Sequence, residues 1–506
     1  MNRYKTLIMV KKYYFPLIPL SFLAIVMAGC ATEKTVSGEI KTTAQQNVTE
    51  SAEKSPSSEP EVVWLNGKLG LQDAVRLALQ YNKGLSALLQ ERRIAQERIR
   101  ESYGMLLPSL DARAGYTRLD EVTSFDIGGR KVSIGFEDNY STELTIRQPV
   151  YHGGALAAGV RSARLYALLA DENIRSTVHD IIFQVSQAYF ETVLTKHLVK
   201  VSEDAVKSAL KHLETVRTQR QQGLASDYDV LRAEVEVATF RAESVKQKNA
   251  LNITRTKLLR IMGVSQESQV ELTDDLLYIP VKTSWEEVVR TAKQNRSDIY
   301  QAELAVKMQK EVLRIAKSSH FPVIDAFFSQ KWANPDPHSS TENEWGNAWT
   351  AGISLNFLIF DWFKRESKIQ QEQARLQQAL INLTNTQEKV DFELKQALLN
   401  LQDAEEFVQS QEKNLQLAEQ GLKLVEAGYK QGTRTELEVI DALLALTRTQ
   451  SLYYQALYSH MIARLNLQRA MGTLGPPPGS IKLSESLLKQ IFENKHAEEE
   501  NKGDSK

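Results

Sequence analysis

Residues 222–230 read QGLASDYDV and residues 431–442 read QGTRTELEVIDA. Each stretch holds a glycine, a hydroxyl residue three positions on, and an acid three positions after that: Gly223, Ser226 and Asp229, then Gly432, Thr435 and Glu438. A glycine in that setting ends a helix where the backbone needs positive φ. A serine or threonine followed by an acid at the third position is a capping box that opens the next helix. Both stretches are therefore tight turns between helices, and they predict two hairpins, 154–222 with 226–262 and 361–430 with 435–471.

Working outward, the two hairpins are copies of one unit. A shift of 209 positions carries residues 151–263 onto 360–472 without a gap, superposing Gly223 on Gly432, Val230 on Val439, Arg260 on Arg469 and Gly263 on Gly472. A shift of 214 pairs Leu71 with Trp285, Ala78 with Ala292, Pro108 with Pro322 and Asp111 with Asp325. The reading gives a first repeat over 62–264, a linker over 265–284 and a second repeat over 285–472. A duplicated unit buries its apolar faces against copies of itself.

The helices are too long for an ordinary globule. From Val160 to Gln222 there is neither Gly nor Pro, and Leu194, Leu198, Val201, Ala205, Ala209, Leu213 and Val216 form a heptad-like seam. That run spans about 95 Å, whereas the returning helix covers only about 55 Å. The helical segments predicted over 70–107 and 285–319 supply the missing length, with their later parts stacked end to end on the returning helices. Such a slab has no core of its own, which predicts oligomerisation.

Pro108 and Pro322 end helices and open alternating stretches, 109–150 and 322–360. Leu110, Ala112, Ala114 and Tyr116 share one face; Tyr140, Thr142, Leu144 and Ile146 answer them, as do Ile324, Ala326 and Phe328 with Trp349, Ala351, Ile353 and Leu355. Period-two alternation with aromatics and polar loops between is the pattern of membrane barrel strands. Four strands leave two open edges, which lipid does not tolerate, so one chain supplies a fraction of a barrel. A soluble four-stranded sheet packed on the helices is the alternative.

At the N-terminus, Lys5, Lys11 and Lys12 precede an apolar stretch from Phe15 to Val26 and a small-residue processing site that ends at Cys30. This reads as an export signal, residues 1–29, too short to remain as a spanning helix. Residues 30–61 are polar and poor in large apolar groups, a flexible tether. Residues 473–506 begin with a proline-rich stop and end in a charged tail expected to be disordered. Cys30 is the only cysteine, which excludes an internal disulfide and a thiolate zinc site. With 62 basic and 63 acidic residues, the balanced charge argues against a nucleic-acid partner. The eight histidines show no metal-binding spacing, and no phosphate loop or nucleophile pairing stands out, so no catalytic or metal residue and no cofactor is expected.

The duplication, the LxxAVxxAL opening at 71–79, the QPVYHGG segment at 148–154 and the two turn sequences resemble the TolC-type outer-membrane efflux proteins, over about Leu71 to Gly472. The surroundings of Cys30 resemble the bacterial lipoprotein box, which points to the lipid-anchored branch; the alternative is an ordinary signal peptide with an incidental cysteine. The resemblance implies an acylated Cys30 and, from the neutral Ala31, routing to the outer membrane of a Gram-negative bacterium. It implies a mainly α fold with membrane β: a homotrimer, a twelve-stranded outer-membrane barrel with four strands per chain, and a long coiled-coil periplasmic barrel. An equatorial belt, to which the segment after 472 contributes, completes it.

The same resemblance assigns a periplasmic gate. Tyr429 and Arg434 match the family's tie to Asp229 and the backbone near Tyr228, and Glu438 and Asp441 match the acids around the narrowest point. Glu438 is one methylene longer than the usual aspartate, and Tyr228 replaces a small hydroxyl residue. Gly223, Ser226, Gly432 and Thr435 shape the turns on which a periplasmic membrane-fusion adaptor would dock, coupling the duct to an inner-membrane pump of the resistance-nodulation-division or ABC type. The expected function is a passive exit channel of a tripartite efflux system. A type I protein-secretion channel and a pore-less coiled-coil envelope lipoprotein are the alternatives.

Overall fold

The structure is a computed structural model that describes residues 64–133, 135–339 and 342–478. The expected signal, the tether with Cys30 and the tail beyond 478 lie outside them. Two hairpins dominate: α3 (Ala155–Gln221) with α4 (Asp227–Met262), and α7 (Lys364–Lys430) with α8 (Glu436–Ala470). Each of α3 and α7 has 67 residues, about 100 Å of helix. Four columns lie side by side: α4, then α3, then α8, then α7.

The helical segments expected over 70–107 and 285–319 each consist of two helices. Asn82 (φ −69°, ψ 115°) separates α1 (Leu71–Tyr81) from α2 (Lys83–Gly104), and Arg296 (φ −66°, ψ 120°) separates α5 (Trp285–Asn295) from α6 (Ser297–Ser318). The reason lies at the far end of the returning helices. α4 ends at Gly263 (φ 75°), where a β carbon would sit 2.8 Å from the Tyr81 carbonyl oxygen, and α8 ends at Gly472 (φ 69°), where one would sit 2.8 Å from the Asn295 carbonyl carbon. Each returning helix thus butts against a break, while α2 and α6 carry its column on along the long helices. Arg296 Nη1 donates to the Ala470 carbonyl at 3.2 Å, and the fully buried Arg175 donates to that of Asn295, so at the second joint a carbonyl at the end of each of the two abutting helices is covered.

Burial follows the joints rather than a central core. Val185, Tyr189 and Val193 of α3 pack with Leu258, Leu259 and Met262 of α4 and with Ala74 and Ala78 of α1. Leu394 and Leu401 of α7 pack with Val288 and Ala292 of α5 and with Leu467 of α8. The linker expected over 265–284 contains a strand: β6 (Gln269–Leu272) pairs in parallel with β1 (Asn66–Leu69), burying Val270 and Leu272 beside α3. Tyr189 Oη lies 2.7 Å from Asp274 Oδ2; burial first, and this carboxylate next, push its phenol up to about 12.

The strands form one antiparallel sheet in the order β2 (Ser109–Arg118), β5 (Asp138–His152), β7 (Val323–Asn334), β8 (Gly346–Asn356), and a small hairpin, β3 (Ser124–Ile127) with β4 (Arg130–Ser133), lies in the β2–β5 connection. The register aligns Leu110, Ile146, Phe328 and Ala351 on one face and Asp111, Thr145, Ser329 and Thr350 on the other. The faces therefore differ in kind. One carries Leu144, Trp349, Ile353 and Leu355, all exposed, whereas the other carries Arg113, Glu143 and Lys331, with Thr145 donating to Ser329 Oγ at 3.2 Å and Ser329 to Glu143 at 2.5 Å. Among the described residues, β2 and β8 each pair on one side only. β8 stops at Asn356, short of the expected 360, because its partner β7 begins at Val323, directly after Pro322. No described helix is long and apolar enough to cross a membrane.

The lead-in to each long helix turns through two successive residues of positive φ. In the first copy they are Gly153 (60°) and Gly154 (84°); in the second, 209 positions on, they are Trp362 (56°) and Phe363 (60°). For residues other than glycine this conformation costs about 1–2 kcal/mol each.

Candidate functional site

At the tip of the first hairpin, Leu224 N donates to Gln219 O at 2.8 Å and Gly223 N to Arg220 O at 2.9 Å, so α3 closes through Gly223 (φ 74°). Ser226 then caps α4: its Oγ accepts from Asp229 N at 3.2 Å, and Asp229 Oδ2 accepts from Ser226 N at 2.8 Å. These bonds, the backbone one foremost, hold the Asp229 carboxyl below the usual carboxylate range.

The second tip repeats the backbone. Thr433 N donates to Gly428 O at 2.9 Å around Gly432 (φ 75°), Thr435 Oγ1 accepts from Glu438 N at 3.4 Å, and Glu438 Oε2 accepts from Thr435 N at 2.7 Å. Arg434 Nη1 donates to the other oxygen, Glu438 Oε1, at 2.6 Å. The Thr435 amide first, and Arg434 after it, hold the Glu438 carboxyl low. Asp441 lies one turn further on and is exposed.

The expected tie of Tyr429 and Arg434 to Asp229 and the Tyr228 backbone is not what the protomer forms. Asp229 is engaged by its own capping box, and Arg434 is engaged by Glu438. The longer glutamate side chain serves the cap with one oxygen and the guanidinium four residues back with the other. Tyr429 instead donates to Glu436 Oε2 at 3.1 Å.

That contact opens onto a link between hairpins that the sequence reading missed. Glu436 is 8% exposed, and its Oε1 lies 3.3 Å from Nε2 of His212, a residue of α3 in the first hairpin. The His212 and Tyr429 rings are 5.3 Å apart, and Leu213, Val216, Leu422 and Leu443 pack around them from both hairpins. Burial first, then the Glu436 charge, push the Tyr429 phenol far up, so it stays a donor across the physiological range. The sequence offered one signal, the acid at 436 directly after the cap residue, and none at His212. The site thus brings two hairpins together: Tyr429 is hydrogen-bonded to a buried carboxylate whose other oxygen faces the His212 imidazole at 3.3 Å without a hydrogen bond, a contact that becomes an ion pair when the ring is protonated.

Long paired helices joined to a four-stranded sheet with one apolar outer face and one polar face define an envelope channel protein. The family model for outer membrane efflux proteins matches residues 74–264 and 288–473, and the chain belongs to that family. It is similar to outer membrane protein TolC of Vibrio cholerae, 23% identical over 79% of this chain and 91% of the relative, and to proteases secretion protein PrtF of Dickeya chrysanthemi, 23% identical over 80% and 88%. The solved CmeC outer membrane channel of Campylobacter jejuni superposes with a TM-score of 0.69 at 16% identity, over 82% of this chain and 88% of that one. The protein is accordingly an outer-membrane exit channel with a large periplasmic part, and its family is one of channels rather than enzymes.

Proposed function

We propose that three copies of the chain close a passive duct, joining their sheets into a twelve-stranded barrel and their helical slabs into one tunnel. The single observation that carries this is the pair of one-sided edge strands, β2 and β8, on a sheet whose outer face is apolar. The helical edges agree with it. α7 exposes Ile381, Phe392, Leu417 and Leu424, and α4 exposes Leu231, Val235, Val245 and Ile253, all at spacings of helical seams. In the trimer the α7 edge of one copy faces the α4 edge of the next.

The duct receives substrate from an inner-membrane pump through a periplasmic adaptor that docks on the tips around residues 219–232 and 428–441, and acylation of Cys30 adds a lipid anchor. At rest the tips are shut by the Tyr429–Glu436–His212 clasp and the Arg434–Glu438 pair, and Glu438 and Asp441 from three copies place six carboxylates near one axis, a cation-attracting constriction. No bound cofactor or metal enters this scheme. Recording single-channel conductance in a planar bilayer tests it: Tyr429→Phe combined with Arg434→Ser raises conductance severalfold, and unchanged conductance removes the gate assignment. A purified protein that stays monomeric in detergent removes the duct.

A further inference from the structure

The polar face of the sheet carries charge of both signs, and the two signs are held differently. Facing the same way as Thr145 and Ser329 are Asp111 and Arg113 of β2, Glu143 and Arg147 of β5, and Asp325 and Lys331 of β7. Asp325 and Glu143 are held in the wall: Asp325 is buried with Oδ1 2.9 Å from His152 Nε2, and Glu143 Oε1 accepts from the Ser329 hydroxyl at 2.5 Å. Arg113, Arg147 and Lys331 are exposed, and among the described residues none of these side chains has an ion pair or a hydrogen bond. Among the described residues of the four strands, only Asp111 answers them as an exposed acid on that face. Arg113 lies opposite Glu143 and Glu143 opposite Lys331, so one cross-strand row sets two unpaired cations on either side of a carboxylate already bonded to the wall.

Lys331 stands near the end of the sheet away from the helices, where the β7–β8 connection lies against the polar face. There Asp336 and His338 of the connection line a cavity of about 340 Å³ together with Thr117, Ser141 and Lys331 of the strands. The acid in this cavity is turned into its own loop, since Asp336 Oδ1 accepts from the His338 amide at 2.8 Å and lies 3.5 Å from His338 Nδ1. An unpaired ammonium beside two hydroxyls is therefore what the cavity offers a ligand. Such a volume admits a small organic molecule. An ammonium and hydroxyl donors suit a carboxylate or a phosphate, whose oxygens accept charge-assisted hydrogen bonds.

We propose that Lys331, with Arg113 in the same row, forms an anion site on the lumen wall at the outer end of the duct, and that its ligand is a small solute carrying carboxylate or phosphate groups. The site rests on the polar face being the lumen side of the proposed barrel. It gives the duct two ends of opposite preference, acids at the hairpin tips and unpaired cations at the exit. Twelve strands about 4.8 Å apart and tilted by about 40° enclose a bore about 24 Å across between backbones. The Debye length is about 8 Å at physiological salt, so the cations there act on solutes near the wall; at 0.01 M salt it is about 30 Å and their field spans the bore.

The test titrates citrate into the full-length protein in detergent at about 0.01 M salt and reads the heat of binding. Lys331→Gln weakens citrate about tenfold or more, the loss of one charge-assisted bond, whereas Lys331→Arg restores it and Glu143→Gln tightens it. Citrate that binds the wild type and Lys331→Gln equally, or glucose that binds as well as citrate, overturns the site. Its place in the duct is read separately, from current through the Tyr429→Phe/Arg434→Ser trimer in a planar bilayer. Citrate added on the side of the strand loops lowers that current, and Lys331→Gln in the same background relieves the block. Binding with no block puts the cavity off the lumen and overturns its role in export. Should the double variant conduct no better than the wild type, the gate reading falls, and the binding heats alone decide for or against the anion site.

Discussion

The two hairpin tips share a backbone and part company in what their charges face. Related by the 209-residue shift, Gly223 and Gly432, Ser226 and Thr435, and Asp229 and Glu438 do the same work at nearly the same φ and with the same bonds. The pair that spans each turn differs. Arg220 meets Asp227 in the first tip, with both side chains more than half exposed, whereas the equivalent Tyr429 and Glu436 meet in the second with Glu436 buried. An exposed ion pair contributes little, while a buried carboxylate depends on its partners. Duplication therefore preserved the turn, and closure between hairpins came to rest in the second copy, where Glu436 reaches His212 of the first.

The largest test of this contrast removes the two equivalent acids. Glu436→Ala leaves the half-buried Tyr429 hydroxyl without its acceptor and opens the contact with His212, and an unsatisfied buried polar group costs about 1–3 kcal/mol. We expect conductance at least as high as with Tyr429→Phe. Asp227→Ala costs less than about 1 kcal/mol and leaves conductance unchanged; equal effects would erase the contrast. Smaller effects probe the shared backbone. Gly223→Ala and Gly432→Ala meet nothing within 4 Å, so each loses only about 1 kcal/mol for its positive φ, as do Ser226→Ala and Thr435→Ala for their caps. Thermal unfolding followed by circular dichroism reads these, and a gap between the copies would show that the turns are not equivalent. Gly263→Ala and Gly472→Ala, which collide with the chain at the joints, lower stability further than either tip variant does.

The smallest effect is on pH dependence. Asp229 and Glu438 both have folded pKa values below their unfolded ones, so their contribution is complete above the ordinary carboxylate range, about pH 4, and is lost as pH falls through the folded values. The protection factors of the Ser226 and Thr435 amides, exchange measured against the intrinsic rate at each pH, should fall together on acidification and stay level from neutral pH upward. Loss of protection at one tip alone would separate the copies.

Much of this was legible in local pattern. The capping boxes lie in four consecutive residues, and the alternation of Leu110, Ala112 and Ala114 announced the apolar side of β2 without any partner. The exact break points at Asn82 and Arg296 were not read: Asn82 caps α2 by accepting from Leu85 N, and at both breaks a glycine about 180 residues later in the chain abuts the carbonyl end of α1 or α5. β6 was hidden because four residues carry too little alternation to stand out from a linker. The contacts of Tyr429 and Arg434 within one chain were not legible for a geometric reason: the family pattern supplies the donors, but the reach of Glu438 and the position of Glu436 decide which acceptor in the chain is nearest.

The amino-acid sequence by itself determined the duplication, the turns, the length of the helices and the two-faced strands, since each follows from periodicity or from a backbone conformation that few residue types adopt. Only the tertiary structure decided which acid holds Tyr429, that His212 leaves solvent to join it, and that Lys331 lines a cavity with the β7–β8 connection. Those outcomes depend on distances between segments remote in the chain, and burial assigns a side chain its role only once such segments are brought together.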